Sequence, residues 1–319
     1  MKKCIRTDKL MKVLVTGANG QLGIDVINEL LNRSFFVLAT DITENYILSF
    51  DEKQNNFKYA KMDITDIDSI NSVMLSFEPD AVIHCAAWTS VDDAEDPNNI
   101  SMVERINHIG TKNIAFYCKK MDCKMMYIST DYVFDGKGNK PWNPDCKDFN
   151  PLNVYGKTKL DGEIAVKDLL DKYFIVRISW VFGVHGASNF VKTMLDLAKK
   201  YDTIRVVNDQ IGTPTYTADL SRLLVDMIET NKYGCFNASN EGGYISWYDF
   251  AQEIFKQASC KMTIIPVTTE EYGVSKAQRP FNSRLDKRKL IDNGFEPLPD
   301  WRDALSRYLV FLGVKNEQF

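Results

Sequence analysis

A glycine-rich turn near the start of the chain constrains the fold more than any other feature. The β-rich run 12–16 (KVLVT) leads into GANGQLG at 17–23, and apolar residues then recur at helical spacing over 24–31. This order predicts a strand, a tight turn and a helix. Such a turn lets a pyrophosphate approach the helix N-terminus, where free N–H groups and the helix dipole favour anions. The spacing is GxxGxxG, and an ordinary strand–helix turn is the alternative interpretation.

Apolar runs alternate with helical patterns along the first half of the chain. Further strands are predicted at 35–40, 57–62, 81–85, 125–129 and 174–183. The alternation predicts an α/β fold, a Rossmann-type doubly wound parallel sheet with right-handed crossovers. After Gly183 the elements become shorter and predict a smaller, partly discontinuous C-terminal substrate domain. We expect an NAD(P)-binding domain over 1–183, with 204–236 returning to it, and a substrate domain over 184–203 and 237–319.

Residues at the ends of two predicted strands suggest how a dinucleotide is held. Asp41 lies about 20 residues beyond the glycines, where an acid accepts hydrogen bonds from an adenosine ribose and repels a 2′-phosphate. It therefore favours NADH over NADPH, although it could merely cap a strand. Ala86 and Ala87 follow a buried strand and leave room for a flat ligand. His84 lies inside that strand, and we expect a core histidine rather than a catalyst.

Tyr155 and Lys159 are four residues apart at the start of a predicted helix, so their side chains share one helix face. An ammonium beside a phenol favours the phenolate, which predicts a lowered pKa of Tyr155 and proton transfer near neutral pH. Thr130 and Asp131 follow the strand 125–129, at the carboxyl edge where open α/β sheets bind ligands. Capping of a turn is the alternative role for these two residues.

Charge, cysteines and histidines narrow the function classes. The net charge is −4 and no basic stripe stands out, which argues against a nucleic-acid partner. No apolar run reaches the length of a membrane helix, so no membrane partner is expected. The seven cysteines form no CxxC pair and the three histidines lack metal-ligand spacing, which predicts free thiols in the cytoplasm and no metal site. The stretch before Met11 lacks the apolar segment of a secretory signal.

Motifs spread along most of the chain resemble those of the extended short-chain dehydrogenase/reductases, and within them the dTDP-4-dehydrorhamnose reductase family. They are GANGQLG at 17–23, HCAAWTSVD at 84–92, STDYVFDG at 129–136, YGKTK at 155–159, RISWVFG at 177–183, DQIGTPT at 209–215 and RPFNS at 279–283. Two features depart from the family pattern. Trp88 stands where the family often has histidine, and the extension before Met11 is not expected.

The resemblance implies a catalytic triad of Thr130, Tyr155 and Lys159. Tyr155 would protonate the C4 ketone oxygen of a sugar as hydride arrives from the nicotinamide, while Thr130 holds that oxygen. Lys159 would hydrogen-bond the nicotinamide ribose and lower the pKa of Tyr155. The implied cofactor-binding residues are Gly17, Asn19, Gly20, Gln21, Leu22, Asp41, Asp63, Ile64, Ala86, Ala87, Trp88, Tyr155 and Lys159.

The substrate-binding residues implied by the resemblance are Thr130, Asp131, Trp180, Asn189 and Arg279. Asp131 would touch the sugar and Trp180 would pack on the sugar or the base. Arg279 would bind the diphosphate as a bidentate donor. Trp180 could instead be a core residue. Arg279 could instead pair with a nearby acid, Glu270 or Glu271.

The implied activity is NAD(P)H-dependent reduction of dTDP-6-deoxy-L-lyxo-4-hexulose to dTDP-L-rhamnose, a step of polysaccharide biosynthesis. The partner would be a dTDP-linked 4-keto-6-deoxy sugar, and the family often forms homodimers. One alternative is another nucleotide-sugar epimerase or reductase of the family; a dehydratase is disfavoured because Tyr132 replaces the glutamate that usually follows the aspartate. The other is a non-catalytic regulatory subunit of the methionine adenosyltransferase type, against which the intact Thr130, Tyr155 and Lys159 set argues.

Overall fold

Thirteen strands are found in residues 10–48, 55–186, 188–273 and 275–314, the ranges described by the computed structural model. Their bounds are β1 Lys12–Thr16, β2 Phe36–Asp41, β3 Phe57–Lys61, β4 Ala81–His84, β5 Lys124–Thr130, β6 Tyr173–Ile178, β7 Val181–Phe182, β8 Thr203–Val207, β9 Ile211–Gly212, β10 Thr215–Tyr216, β11 Gly234–Ala238, β12 Ile245–Ser246 and β13 Thr263–Val267. Seven of them form one parallel sheet, in the order β11-β6-β5-β4-β1-β2-β3. The predicted doubly wound α/β fold is confirmed.

Eleven α-helices connect and cover these strands within the described ranges. They are α1 Gln21–Asn32, α2 Ile67–Phe77, α3 Ile100–Glu104, α4 Thr111–Met121, α5 Val154–Leu169, α6 Phe190–Ala198, α7 Thr217–Ile228, α8 Trp247–Gln257, α9 Thr269–Tyr272, α10 Arg288–Asp292 and α11 Trp301–Phe311. A π-helical segment, Arg105–Gly110, joins α3 to α4, and 3₁₀ turns occupy Asp93–Glu95 and Asp131–Val133.

The strand order reverses at β1. The chain moves outward from β1 to β2 and β3, then crosses back so that β4, β5, β6 and β11 extend the sheet on the other side. In an open α/β sheet the carboxyl ends of the strands on either side of such a reversal border the ligand crevice. The register pairs Thr16 with His84 and Thr130 with Ile178 at this edge.

Alternate residues of the central strand enter two apolar clusters on opposite faces of the sheet. Val13 and Val15 pack in the cluster that contains residues of α1 and α7. Leu14 packs in the cluster that contains residues of α2, α4 and α5. Because both faces are covered by helices, the middle of the strand, Val13 to Val15, is continuously apolar rather than alternating.

A third apolar cluster lies in the later part of the chain and includes residues of α6, α8 and α11. Three two-stranded sheets accompany it: β7 with β10, β9 with β12, and β8 with β13. By contrast, β11 pairs with β6 and α7 packs against α1, so this segment belongs to the large sheet and its helices. Where one domain ends and the other begins stays a prediction.

The strand predicted over 174–183 is interrupted. β6 ends at Ile178 and β7 begins at Val181, because Trp180 adopts a left-handed backbone conformation with φ of 50°. Such a conformation is strained for a bulky residue and typically marks a functional site or a tightly packed one.

Candidate active site

A cavity of about 440 Å³, called the first cavity, opens at the carboxyl edge of the sheet. The glycine turn, the exits of β4, β5 and β6, and the start of α5 form its walls. The predicted site residues in its lining are Gly17, Gly20, Gln21, Leu22, Ala87, Thr130, Asp131, Tyr155, Lys159, Trp180 and Asn189. Those outside its lining are Asn19, Asp41, Asp63, Ile64, Ala86, Trp88 and Arg279.

The glycine turn presents backbone N–H groups to this cavity. Gly20 is the N-cap of α1 and supplies no capping side chain, so the first-turn donors have no side-chain acceptor there. Gly17 has φ of 66°, and a Cβ at this position would lie 2.6 Å from the Ala86 nitrogen. A Cβ at Gly23 would collide with the Gly17 carbonyl oxygen. The turn therefore has the close packing and the free donors that suit a pyrophosphate.

Asp41 ties the glycine turn to the end of β2. One carboxylate oxygen accepts from the Asn19 N–H at 2.9 Å and the other accepts from the Ile42 N–H at 2.8 Å. Each oxygen keeps a second lone-pair direction that is free for a further donor. The structural role and the ribose-binding role predicted for Asp41 are therefore compatible.

A buried amide, Asn107, holds the loop after β4. Its Oδ1 accepts from the Trp88 N–H at 2.8 Å, and its Nδ2 donates to the Trp88 carbonyl and to the Thr158 hydroxyl, both at 3.2 Å. It thereby links this loop to α5, the helix of Tyr155. Asn107 was not predicted as a site residue, since the local sequence shows only that it and His108 are polar residues between Ile106 and Ile109.

Tyr155 lies in the first turn of α5, against the turn that follows β5. The Asn153 side chain caps the helix by accepting from the Gly156 N–H at 2.7 Å, and a Cβ at Gly156 would collide with the Tyr132 carbonyl oxygen. Burial raises the pKa of Tyr155 to about 12, while the Thr130 hydroxyl opposes the rise. Tyr155 therefore keeps its proton at neutral pH.

Lys159 is buried one turn further along α5. Its Nζ donates to the Ile128 carbonyl at 2.7 Å and lies 4.1 Å from the centre of the Tyr127 ring. Burial lowers the pKa of Lys159 to about 7, and the Glu163 carboxylate opposes that shift. The prediction that the ammonium lowers the pKa of Tyr155 is wrong for this structure, since desolvation of the phenol dominates and the ammonium is directed at a carbonyl.

Thr130 and Asp131 complete this wall. The Thr130 hydroxyl accepts from the Tyr132 N–H at 3.3 Å, so it does cap the 3₁₀ turn, and it donates to Asp131 Oδ1 at 3.2 Å. Burial raises the pKa of Asp131 to about 7, and the hydroxyls of Ser283 and Thr130 oppose that rise. A carboxyl group that exchanges its proton near neutrality thus adjoins the predicted acid.

Trp180 and Trp247 form a stacked pair in the lining of the first cavity. Their ring centroids are 3.7 Å apart and their planes differ by 13°. A Cβ at Gly212 would lie 2.8 Å from the Trp180 ring, so the ring is confined on this side as well. Trp180 therefore packs with the neighbouring apolar cluster and also faces the cavity. The sequence analysis did not single out Trp247.

The Asn189 side chain is already engaged by the protein. Its Nδ2 shares two protons among three acceptors, the Gly183 carbonyl at 2.9 Å, the Tyr308 hydroxyl at 3.0 Å and Gln21 Oε1 at 3.0 Å. Its Oδ1 accepts from the Lys192 N–H at 3.0 Å and caps α6. Asn189 thus connects the glycine turn to α6 and α11.

Arg279 lines a second cavity of about 640 Å³. Thr89, Val91, Ser188, Asn189 and Trp247 belong to the lining of both cavities, so the two adjoin. Arg279 pairs with Asp92, and not with the glutamates that the sequence analysis considered.

His84 is a core histidine, as predicted. Its Nδ1 lies 2.7 Å from the Thr16 hydroxyl and its Nε2 lies 3.1 Å from the Thr111 hydroxyl. Burial lowers the pKa of His84 to about 3, which keeps the ring neutral. In the described ranges, no three His, Cys, Asp or Glu side chains are grouped as metal ligands, and no helix has the length and apolar character needed to span a membrane.

Comparison with known proteins gives a consistent result. The model of the family described as RmlD substrate binding domain matches residues 11–312. The chain is 38% identical to the spore coat polysaccharide biosynthesis protein SpsK of Bacillus subtilis, over 94% of this chain and 97% of that protein. It is 38% identical to a dTDP-4-dehydrorhamnose reductase of Aggregatibacter actinomycetemcomitans, over 93% and 97% of the two chains.

A solved structure is similarly close. The crystal structure of dTDP-4-dehydrorhamnose reductase from Bacillus anthracis in complex with NADP matches with a TM-score of 0.83 and 40% sequence identity. The match covers 95% of this chain and 100% of that one.

Proposed function

The chain belongs to the RmlD substrate binding domain family, and from this premise we propose that it reduces the C4 ketone of dTDP-6-deoxy-L-lyxo-4-hexulose to dTDP-L-rhamnose, using NADH or NADPH. It is an oxidoreductase of the extended short-chain dehydrogenase/reductase class. The observation that supports the specific reaction best is the meeting of Thr130, Tyr155 and Lys159 in one cavity with the glycine turn.

The residues present fit a nicotinamide dinucleotide, which supplies a hydride when it is bound. The uncapped N–H groups at the start of α1 would hold its pyrophosphate. The glycines of the turn leave no space for a Cβ, and their lack of side chains lets the pyrophosphate approach these N–H groups. Lys159 would donate to the nicotinamide ribose. Ala87 leaves room for the ring beside the exit of β4.

Tyr155 is the proton donor in this proposal. With a pKa of about 12 it is protonated at neutral pH, and an alkoxide that develops at C4 is basic enough to take its proton. The Thr130 hydroxyl would turn from Asp131 to donate its hydrogen bond to the same oxygen and stabilise the developing charge. The carbonyl carbon gains the hydride, the oxygen gains the tyrosine proton, and solvent reprotonates the phenolate.

The second cavity would hold the nucleoside diphosphate of the substrate. Arg279 and Arg205 lie in its lining and carry the charge that suits phosphate oxygens. Trp247 lines both cavities and Trp180 stacks on it within the first cavity, so the two rings would pack on the sugar. The sugar nucleotide would thus extend from Arg279, which binds its diphosphate, to Tyr155, which protonates its C4 oxygen.

The test is a reductase assay with purified protein. NADH or NADPH is mixed with dTDP-6-deoxy-L-lyxo-4-hexulose, and loss of the reduced cofactor is followed by absorbance. We expect oxidation that depends on the keto sugar, and none with dTDP-L-rhamnose as the control. Absence of oxidation with both cofactors would refute the proposed reaction and leave an epimerase or a regulatory subunit to be tested.

A preference for NADH is proposed from Asp41. Its carboxylate would repel the 2′-phosphate of NADPH, so Asp41→Ala should lower the ratio of NADH to NADPH efficiency by about five- to tenfold. Asp41→Asn keeps an oxygen that can accept from the Asn19 N–H, and it separates charge from loop geometry. An unchanged ratio in both variants would remove Asp41 from this role.

We also propose a cytoplasmic homodimer. The described cysteines, Cys85, Cys118, Cys123, Cys146, Cys235 and Cys260, are all free thiols, which suits a reducing compartment. Light scattering of the purified protein measures its mass in solution, and a monomer at assay concentration would contradict the dimer.

A further inference from the structure

Arg279 is held by an acid that faces the same space as the proposed diphosphate. Its Nη2 lies 2.8 Å from Asp92 Oδ2 and its Nη1 lies 3.1 Å from Asp92 Oδ1, which is a bidentate pair. Nη1 also donates to the Ser275 hydroxyl at 2.7 Å. The two side chains remain partly exposed, 25% for Arg279 and 42% for Asp92, so the pair borders open space rather than the core.

Charged residues are few in this cavity. Among the described residues of its lining, Arg205 and Arg279 are the cations and Asp92 is the anion. Arg205 donates to the Glu271 carbonyl at 2.6 Å. Asp92 therefore cancels half of the positive charge in the lining, and it repels any anion that approaches Arg279.

The segment that carries Arg279 is anchored independently of this ion pair. This segment, residues 277–283, is called the strap. The Gln278 carbonyl accepts from Asn153 Nδ2 at 2.9 Å, at the start of α5. The Asn282 N–H donates to the Gly136 carbonyl at 2.8 Å, and the Ser283 N–H donates to the Ile211 carbonyl at 2.8 Å. The strap should therefore stay in place when the charge of Asp92 is removed.

We propose that Asp92 competes with the substrate's diphosphate for Arg279, and so sets how tightly the second cavity holds a nucleoside diphosphate. The inference rests on the proposed function, because it takes the diphosphate as the group that Arg279 binds. On binding, the guanidinium exchanges the Asp92 carboxylate for phosphate oxygens. On release, Asp92 recaptures the guanidinium, which keeps product affinity moderate.

The experiment measures dTDP affinity by calorimetry for the full chain and four variants. Asp92→Asn removes the charge but keeps an oxygen for the Ala277 N–H, which the carboxylate now accepts at 3.0 Å. Asp93→Asn is the matched control, because Asp93 is exposed and contacts the Ser90 hydroxyl rather than Arg279. Arg279→Ala and the Arg279→Ala/Asp92→Asn double variant complete a mutant cycle.

We expect Asp92→Asn to bind dTDP about two- to fivefold more tightly than the wild type, the range for a partly exposed ion pair, and Asp93→Asn to be unchanged. In the Arg279→Ala background the Asp92 substitution should give a clearly smaller gain, because only the repulsion between the carboxylate and the diphosphate is then relieved. Equal or weaker binding by Asp92→Asn, an equal gain in Asp93→Asn, or a gain that is as large without Arg279 as with it would each overturn the inference.

The reductase assay separates this inference from the proposed function. If the wild type turns over the keto sugar and Asp92→Asn shows no lower KM for it, only the role of Asp92 fails. If neither protein binds dTDP nor oxidises the cofactor, the proposed function fails together with this inference. Cofactor affinity, measured by fluorescence titration, should be the same in the wild type and in Asp92→Asn. A loss of cofactor affinity in Asp92→Asn would mean that the substitution disturbs the loop after β4. That result would also count against the inference.

Discussion

The two adjoining cavities favour opposite charge states of the ionisable side chains that line them. In the first cavity Lys159 and Asp131 are buried and Tyr155 is half-buried, and desolvation shifts the pKa of each towards its neutral form. In the second cavity Asp92 and Arg279 are partly exposed, and pairing moves the pKa of Asp92 down and that of Arg279 up, towards the charged forms. The first cavity is thus suited to moving a proton, and the second to recognising an anion.

This difference follows from where the side chains come from. In the first cavity Asp131 follows the end of β5, and Tyr155 and Lys159 lie in the first two turns of α5, where contact with water is limited. Those of the second lie on the loop after β4 and on the strap, at the protein surface. Desolvation favours neutral forms, whereas an opposite charge within reach favours ionised ones. The comparison predicts that substitutions in the first cavity affect kcat and those in the second affect KM.

The largest effect is expected for Tyr155→Phe. Removal of the phenolic proton should lower kcat by about 10³-fold, the scale of general acid catalysis, with cofactor affinity within about threefold of the wild type. Stopped-flow single turnovers measure the reduction step directly. Tyr117→Phe is the control, since Tyr117 is a buried tyrosine that lies outside both cavities. Reduction at the wild-type rate by Tyr155→Phe would exclude it as the acid.

A smaller effect, of a different kind, is expected for Arg279→Ala. Loss of a bidentate phosphate donor should raise KM for the sugar nucleotide by about 10- to 100-fold and leave kcat within about threefold. Arg284→Ala is the comparison, because Arg284 lies just after the strap, outside the second cavity, and donates to Asn282 Oδ1. A fall in kcat without a change in KM for Arg279→Ala would contradict the assignment of substrate binding to the second cavity and of catalysis to the first.

The smallest effect concerns pH. Below the Lys159 pKa of about 7 its ammonium is charged and a strong donor to the cofactor ribose, and above it the neutral amine is weaker. NADH affinity should therefore fall by about three- to tenfold between pH 6 and pH 8. Fluorescence titrations over this range check the slope, which should vanish in Lys159→Met.

Asp131 ionises in the same pH range and needs its own control. Its pKa is also about 7, so its carboxylate forms as the pH rises. Asp131→Asn should keep the pH dependence of cofactor binding if Lys159 causes it. Loss of the slope in Asp131→Asn and its persistence in Lys159→Met would assign the titration to the aspartate.

Local patterns were sufficient for much of the molecule. The β-rich run before the glycine turn predicted a strand, and the apolar residues after the turn predicted a helix, which starts at Gln21. The helix that carries Tyr155 and Lys159 was predicted from the residues that follow them, and His84 was predicted as a core residue from its apolar neighbours. Each of these conclusions depends on residues within a few positions of one another, and a pattern of that length can be read directly from the sequence.

The protonation states and the charge partners were decided by the tertiary structure. From the sequence, Lys159 was expected to lower the pKa of Tyr155. In the structure burial raises the pKa of Tyr155, and the Lys159 ammonium donates to the Ile128 carbonyl. Asp92 is 187 residues from Arg279, and no local spacing connects them. The physical reason is the same in both cases. The pKa of a side chain, and the identity of the charge it pairs with, depend on solvent exclusion and on groups that folding brings near. The sequence by itself determined the strands and helices on which most of these side chains lie.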